Sequence, residues 1–323
     1  MDKPLKEPAR RDLTMHQMRC FCAMVEAGSI SRAAARVGIS QSAMSRTLAQ
    51  IEAVLGARLF ERSHHGLYVT APGSLLYETS LKILDRQEAM RGEIDALRGR
   101  TRGHCRVAMP ESVGRVLFLP LVQRMGTEHP DCTLRVMAAF SASMPELLLS
   151  GQLDVAIVTD THTHSGLDTE PLATEDFVLI GPRDDVRLNL NGEAFPARRL
   201  TTLPLILTAW SGGIRVPIDA TTAKIGIDLD IRLEIDSNQA ILDLVQAGEG
   251  YSILPFSAVH REVRAGSLAA ARIVEPAISR TLYLATPANR PVSPASREVL
   301  KLTTALVSAF EISGGWRGRP ANS

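Results

Sequence analysis

Residues 28–62, GSISRAAARVGISQSAMSRTLAQIEAVLGARLFER, constrain the fold of this chain more than any other stretch. They read as a helix, a tight turn and a second helix. Ser29 or Ser31 is placed to cap a short helix through Arg32, Ala33, Ala34, Ala35, Arg36 and Val37. Gly38, free to take a positive φ, ends it. Ser40 caps the next helix, expected over residues 41–54. Met44, Leu48, Ile51 and Leu55 recur at spacings of four, three and four, so they share one apolar face. The opposite face carries Ser42, Ser45, Arg46 and Ala49, with Gln41 beside them. That surface suits the major groove of DNA: little bulk, amide and hydroxyl groups for base edges, and a cation for phosphate or guanine. The spacing alone is shared with amphipathic helix pairs of many α-rich domains.

The residues that follow narrow the reading. Leu59 and Phe60 form an apolar anchor, Arg62 follows, residues 63–66 read as a turn, and Leu67, Tyr68 and Val69 as a short strand. This is the pattern of a winged helix, with Arg62, His64 and His65 at the wing tip near the DNA backbone or minor groove. The two histidines equally suit an ordinary exposed turn. Together AGSISRAA at 27–34, ISQSAMSR at 39–46, Ile51-Glu52, Leu55-Gly56, LFER at 59–62 and VTAPG at 69–73 resemble the DNA-binding domain of LysR-type transcriptional regulators. The resemblance runs along essentially the whole chain. It implies DNA contacts at Arg32, Gln41, Ser42, Ser45, Arg46, Arg62, His64 and His65. Three departures stand out: Ser42 where the family often has Pro, Thr47 where it often has Gln, and Pro72 where Ala is usual. Proline is tolerated in a first helical turn. Residues 1–12, ahead of the family's usual start near Leu13 or Met15, are expected to be a disordered tail.

Composition fits a two- or three-domain protein of 323 residues. No apolar run is long enough to span a membrane, and no signal-peptide core follows the charged N-terminus, so a soluble cytoplasmic, nucleoid-associated protein is expected. The net charge of +1 hides an asymmetry: residues 1–102 hold 16 Lys+Arg against 11 Asp+Glu, and residues 103–323 hold 20 against 24. The basic excess lies with the groove-reading helix, where phosphates must be neutralised. Its modest size argues for binding as a homodimer or homotetramer. Cys20, Cys22, Cys105 and Cys132 lack zinc-site spacing and read as packed, reduced thiols.

A helix expected over residues 72–98 places Leu76, Ile83, Met90 and Leu97 seven apart, a coiled-coil seam, with Ser80, Gln87 and Ile94 as mostly polar companions. In the family this segment is the linker through which two chains dimerise; the alternative is a helix packed on its own domain. From Cys105 the period changes. Strands are expected at 105–109, 133–140, 153–159, 177–180, 205–208, 231–235, 252–254 and 281–285, with helices at 116–125, 144–149, 214–225, 238–247 and 296–310. Such alternation implies α/β architecture with parallel sheets. It resembles the family's two-lobed, periplasmic-binding-protein-like effector domain. The expected organisation is a winged helix-turn-helix at 13–71, linker and hinge at 72–102, lobe I at 103–173 plus 276–312, lobe II at 174–275, and a tail at 313–323.

In such a fold a ligand sits where strand C-termini and helix N-termini face the cleft. That rule selects Ser112, Val113, Ser141, Ser143, Thr161, Thr208, Ser237 and Asn238, a set rich in hydroxyls and short of cations. Each Ser, Thr or Asn is also a natural helix cap; Ser112 and Thr208 are the foremost candidates for ligand contact. Within the family, MPESV at 109–113, GQLDVA at 151–156 and GYSILP at 250–255 resemble the nitrogen-assimilation-control-like subgroup. His162 and His164 on one extended segment suit a metal, but no third ligand group is close in sequence, so neither metal nor cofactor is expected. Nucleotide loops, nucleophile elbows and zinc-protease helices are missing, so an enzyme is not expected. A solute-binding protein for transport would not carry the N-terminal winged helix. The expected partners are double-stranded promoter DNA, a small-molecule effector, further copies of the chain and RNA polymerase, with no membrane.

Overall fold

The computed structural model describes residues 12–63, 66–98, 100–159, 165–185, 194–209 and 213–312. It comprises two compact units, Met1–Arg91 and Gly92–Ser323.

The first unit opens on α1 (Met15–Ala27). Its entry is fixed reciprocally: the Gln17 N–H donates to the Thr14 hydroxyl at 3.2 Å, and the Thr14 N–H donates to Gln17 Oε1 at 2.9 Å. α2 (Ile30–Val37) and α3 (Gln41–Leu55) follow, separated at Gly38 with φ 77°. Ser29 stands at the α2 N-cap, but its hydroxyl pairs with the Ser31 hydroxyl at 3.0 Å rather than with a backbone N–H of the helix. Ser40 does cap α3, accepting from the Ala43 N–H at 3.2 Å. Phe21, Met24, Met44, Ile51 and Leu59 are fully buried, and buried Ala33 and Ala34 let α2 lie close to its neighbours. Leu55, expected on the apolar face, is 44% exposed. It is the last residue of α3, beyond the point where that face is covered.

β1 (Phe60–Ser63) and β2 (Gly66–Val69) form the antiparallel wing, with Phe60 opposite Val69. Its base is fixed by polar contacts. The Leu59 N–H donates to Glu52 Oε1 at 2.8 Å, and the Thr70 hydroxyl donates to the Arg58 carbonyl at 2.7 Å. The same hydroxyl accepts from the Gly73 N–H at 3.2 Å, in the first turn of α4 (Ala71–Ala96). A Cβ on Gly73 would lie 2.3 Å from the Leu59 carbonyl oxygen, so only glycine fits where α4 meets the wing. Along the heptad seam Leu76 packs on the domain core and Ser80 is buried, whereas Met90, Ile94 and Leu97 are exposed. Arg19 of α1 donates to Gln87 Oε1 at 2.8 Å.

The second unit runs β3 (Gly103–Met109), α5 (Glu111–Glu128), β4 (Cys132–Ala138), α6 (Met144–Leu149), β5 (Val155–Val158), β6 (Leu167–Pro182), β7 (Ala194–Pro196), β8 (Leu205–Leu207), α7 (Arg215–Ile225), β9 (Ile231–Glu234), α8 (Asn238–Gln246), β10 (Ser252–Pro255), α9 (Phe256–Arg264), β11 (Leu268–Val274), β12 (Ser279–Pro287) and α10 (Pro294–Ile312). Sheet order is β4-β3-β5-β12-β6-β11-β7, with β10 also on β6 and a separate β8-β9 pair. The sheet is mixed rather than parallel. β3 runs parallel to β4 and β5, but β12 is antiparallel to β5 and β6, and β10 and β11 are antiparallel to β6.

β6 is the spine of a two-lobed body. Through Asp176 it pairs with β12; from Phe177 it pairs with β10 and β11. One core gathers Val107, Leu117, Leu121, Ile157, Leu282 and Val299. Beyond the switch, Phe177, Leu205, Ile218, Tyr251 and Ile253 form another, and Val178, Ile180, Leu242 and Leu254 a third. Among the described residues no helix is long and apolar enough to cross a membrane.

Because Gly73 touches the Leu59 backbone, Gly73→Ala is expected to destabilise the N-terminal unit by about 1–3 kcal/mol, measured by urea unfolding. All four cysteines are free thiols. Burial pushes the Cys22 and Cys105 thiols up to about 12, with Glu26 adding to the effect at Cys22 and Asp154 at Cys105. Only the thiolate alkylates readily. Iodoacetamide at pH 8 is therefore expected to spare Cys22 and Cys105 in the folded protein and to modify all four cysteines once it is denatured, as read by mass spectrometry.

Candidate DNA-reading surface and effector cleft

α3 presents Gln41, Ser42 and Arg46 exposed on the side away from buried Met44 and Ile51, with Ser45 half-buried beside them. The Ser42 hydroxyl shares a 3.0 Å hydrogen bond with Ser40 at the α3 cap. Arg46 and Arg32 are exposed and enter no ion pair or hydrogen bond among the described residues. Arg36, on the same short helix as Arg32, is instead held by Glu26 at 2.7 Å. The backbone at Arg62 lies in β1. His64 and His65 lie outside the described residues. Unpaired guanidinium groups beside short polar side chains on an outward helix can meet phosphates and base edges.

In the second unit a cavity of about 220 Å³ lies between the lobes. Its lobe I wall is Pro110, Glu111, Ser112, Ala138, Ala139, Phe140 and Ser141; its lobe II wall includes Thr208, Gly213, Ile214, Asp236 and Asn238; Arg280 completes it. Four sequence-selected residues, Ser112, Ser141, Thr208 and Asn238, thus line one cavity although they come from four separate parts of the chain. Three do not. Val113 turns into the lobe I core, because one residue along α5 rotates a side chain by about 100°. The Ser143 hydroxyl is exposed and donates to the Phe140 carbonyl at 2.9 Å. Ser237 spends its hydroxyl on the α8 cap, accepting from the Ala240 N–H at 3.3 Å. Thr161, with the rest of 160–164 and its histidines, lies outside the described residues.

The expectation of a cation-poor cleft is corrected by Arg280, which is only 4% exposed. Its Nε and Nη2 donate to Glu175 Oε2 at 2.9 and 2.8 Å, and Nη2 also donates to the Ser112 hydroxyl at 2.7 Å. Glu175, fully buried, accepts the Ser257 N–H of α9 at 2.9 Å through its other oxygen. Arg280 and Glu175 face each other across β12 and β6. A second guanidinium positions the opposite wall: Arg215 Nη1 donates to the Thr208 carbonyl at 3.1 Å and to Glu234 at 2.7 Å. The Thr208 hydroxyl is buried and has no hydrogen-bond partner among the described residues. The lobes touch where a Cβ on Gly213 would stand 2.2 Å from the Thr159 hydroxyl oxygen; within lobe I that hydroxyl donates to Ser141 at 3.0 Å. Elsewhere α5 is tied to α8 and α9 by Arg115, which donates to Gln239 at 3.3 Å and to Glu262.

A wing-bearing helix-turn-helix and a two-lobed cleft in one chain define a ligand-responsive DNA-binding regulator. The bacterial regulatory helix-turn-helix protein, lysR family, matches residues 15–74, and the LysR substrate binding domain matches residues 98–307. The chain belongs to the LysR family of transcriptional regulators, which is not a family of enzymes. It is 25% identical over 297 residues to the nitrogen assimilation regulatory protein nac of Klebsiella aerogenes, covering 92% of this chain and 96% of that protein. Its fold is similar to a full-length OxyR variant from Pseudomonas aeruginosa, with TM-score 0.71, 22% identity and coverage of 92% and 98%. It is likewise similar to full-length CbnR complexed with target DNA, with TM-score 0.66, 24% identity and coverage of 92% and 99%.

Removing one partner of a buried ion pair strands the other charge. Arg280→Met is expected to cost about 3–5 kcal/mol, and the double variant Glu175→Gln/Arg280→Met to recover most of it, both measured by chemical denaturation.

Proposed function

We propose that α3 reads a promoter sequence in the major groove through Gln41, Ser42, Ser45 and Arg46. Arg32, Arg62 and the His64-His65 tip lie against the backbone or minor groove. The observation that carries this is Arg46, exposed and without an ion pair or hydrogen bond among the described residues, on the outward face of a helix whose inward face buries Met44 and Ile51. CbnR, whose fold is similar, has been solved in complex with its target DNA. Two chains pair along α4, where exposed Met90, Ile94 and Leu97 continue the heptad seam past the part covered by the domain itself. A homodimer or homotetramer then meets an interrupted inverted repeat.

The cavity walled by Ser112, Ser141, Thr208 and Asn238 takes a small-molecule effector. The effector favours one angle between the lobes, which changes the spacing of the DNA-binding domains, the bend of the promoter and access for RNA polymerase in the cytoplasm. A ligand acts this way only through unequal affinity for the two arrangements.

Arg46→Ala is expected to weaken binding to the promoter upstream of the protein's own gene by 10-fold or more, on the order of 1–3 kcal/mol for a lost base or phosphate contact. Fluorescence anisotropy against a scrambled duplex at fixed salt checks this. Equal affinity for both duplexes, or no change on substitution, refutes the α3 assignment.

A further inference from the structure

The chemistry of the cavity wall goes further than the presence of a cleft. Arg280 uses Nε and Nη2 on Glu175 and Ser112, while Nη1 has no partner among the described residues. The Thr208 hydroxyl is buried and likewise has no hydrogen-bond partner among the described residues. α5 begins beside them at Pro110, whose side chain cannot cap, so the first-turn N–H groups are left for another acceptor. The unused polar groups at this end are therefore chiefly hydrogen-bond donors. The wall nevertheless carries no positive excess: the guanidinium is matched by wholly buried Glu175, and Glu111 and Asp236 add negative charge. Donors without a large positive excess suit one planar carboxylate and disfavour a dianion. Apart from Ser141 and Asn238 the remaining wall is apolar, and 220 Å³ equals roughly seven water volumes, room for a short body.

We propose that this cavity selects a small monocarboxylate with a short apolar body, its carboxylate held by Arg280 Nη1, the Thr208 hydroxyl and the α5 N-terminus, and its body lying against Phe140 and Ile214. This rests on the reading of the cleft as the effector site. Glu175 is a positioning residue: it fixes the Arg280 fork and sets the charge that the ligand must match.

The test uses the full-length protein, thermal melting and titration calorimetry. The probes are the sodium salts of isobutyrate, pyruvate, 2-oxoisovalerate and benzoate, with isobutyramide and benzamide as neutral matches and succinate and phosphate as dianions. At least one of the four monocarboxylates is expected to raise the melting temperature and bind at least 10-fold more tightly than the neutral and dianionic probes. Thr208→Val and Glu175→Gln/Arg280→Met are each expected to weaken that binding at least 10-fold; cooperative melting establishes that they fold. An amide or a dianion binding as well as the best monocarboxylate, or undiminished binding by both variants, overturns the proposal while leaving an effector cleft in place. Silence of the wild-type protein toward all eight probes overturns the proposal, whereas the DNA-reading assignment stands or falls separately on Arg46→Ala.

Discussion

The pair Glu175–Arg280 joins the working parts of the second unit. The two residues face each other on β6 and β12, next to the point where β6 leaves one set of strand partners for another. From there Arg280 reaches the Ser112 hydroxyl on α5, and Glu175 accepts from the Ser257 backbone on α9. A carboxylate and a guanidinium so completely removed from water persist only because each also satisfies its neighbours' hydrogen bonds. The consequence is geometric: a ligand that takes the free donor of Arg280 acts at the strand crossing shared by both lobes, not at a peripheral wall.

Around that pair the cleft is built from opposed constraints. Arg215 anchors the carbonyl of Thr208, whose hydroxyl has no hydrogen-bond partner among the described residues. Thr159 and Gly213 bring the two rims into contact, and Arg115 ties α5 to α8 and α9. The Thr159–Gly213 contact and the attachment along the helices limit the relative motions open to the lobes. In the N-terminal unit the comparable constraint is steric. Gly73 lies against the Leu59 backbone, and Thr70 and Glu52 secure the wing's base, so the wing is set relative to the recognition helix by close packing.

The elements legible in the sequence were those whose signal is local. α3 could be read from Ser40, its apolar spacing and Gly56; α6 and α7 emerged within a residue of their expected bounds. The first half of β6, LDTEPLAT, carries no alternation and includes a proline; only its pairing with β12 makes it a strand. β11 is rich in alanine, which has weak strand preference, and α9 has few apolar residues, so both escaped notice. The sheet's mixed direction was hidden for the same reason. Of the cleft, Ser112, Ser141, Thr208 and Asn238 were reachable because each stands near a strand-to-helix junction. Arg280 sits within a strand, where a charged residue ordinarily reads as an outward-facing side chain.

By itself, then, the sequence determined the helix-turn-helix, its outward polar face, the heptad pattern and the alternating α/β elements, because caps, glycine turns and hydrophobic periods act over a few residues; the two-lobed class followed from the family resemblance. The tertiary structure alone decided that Arg280 and Glu175, 105 positions apart, would be buried together beside Ser112. Strand register and the need to neutralise a buried charge act across the whole chain, and no local pattern records them.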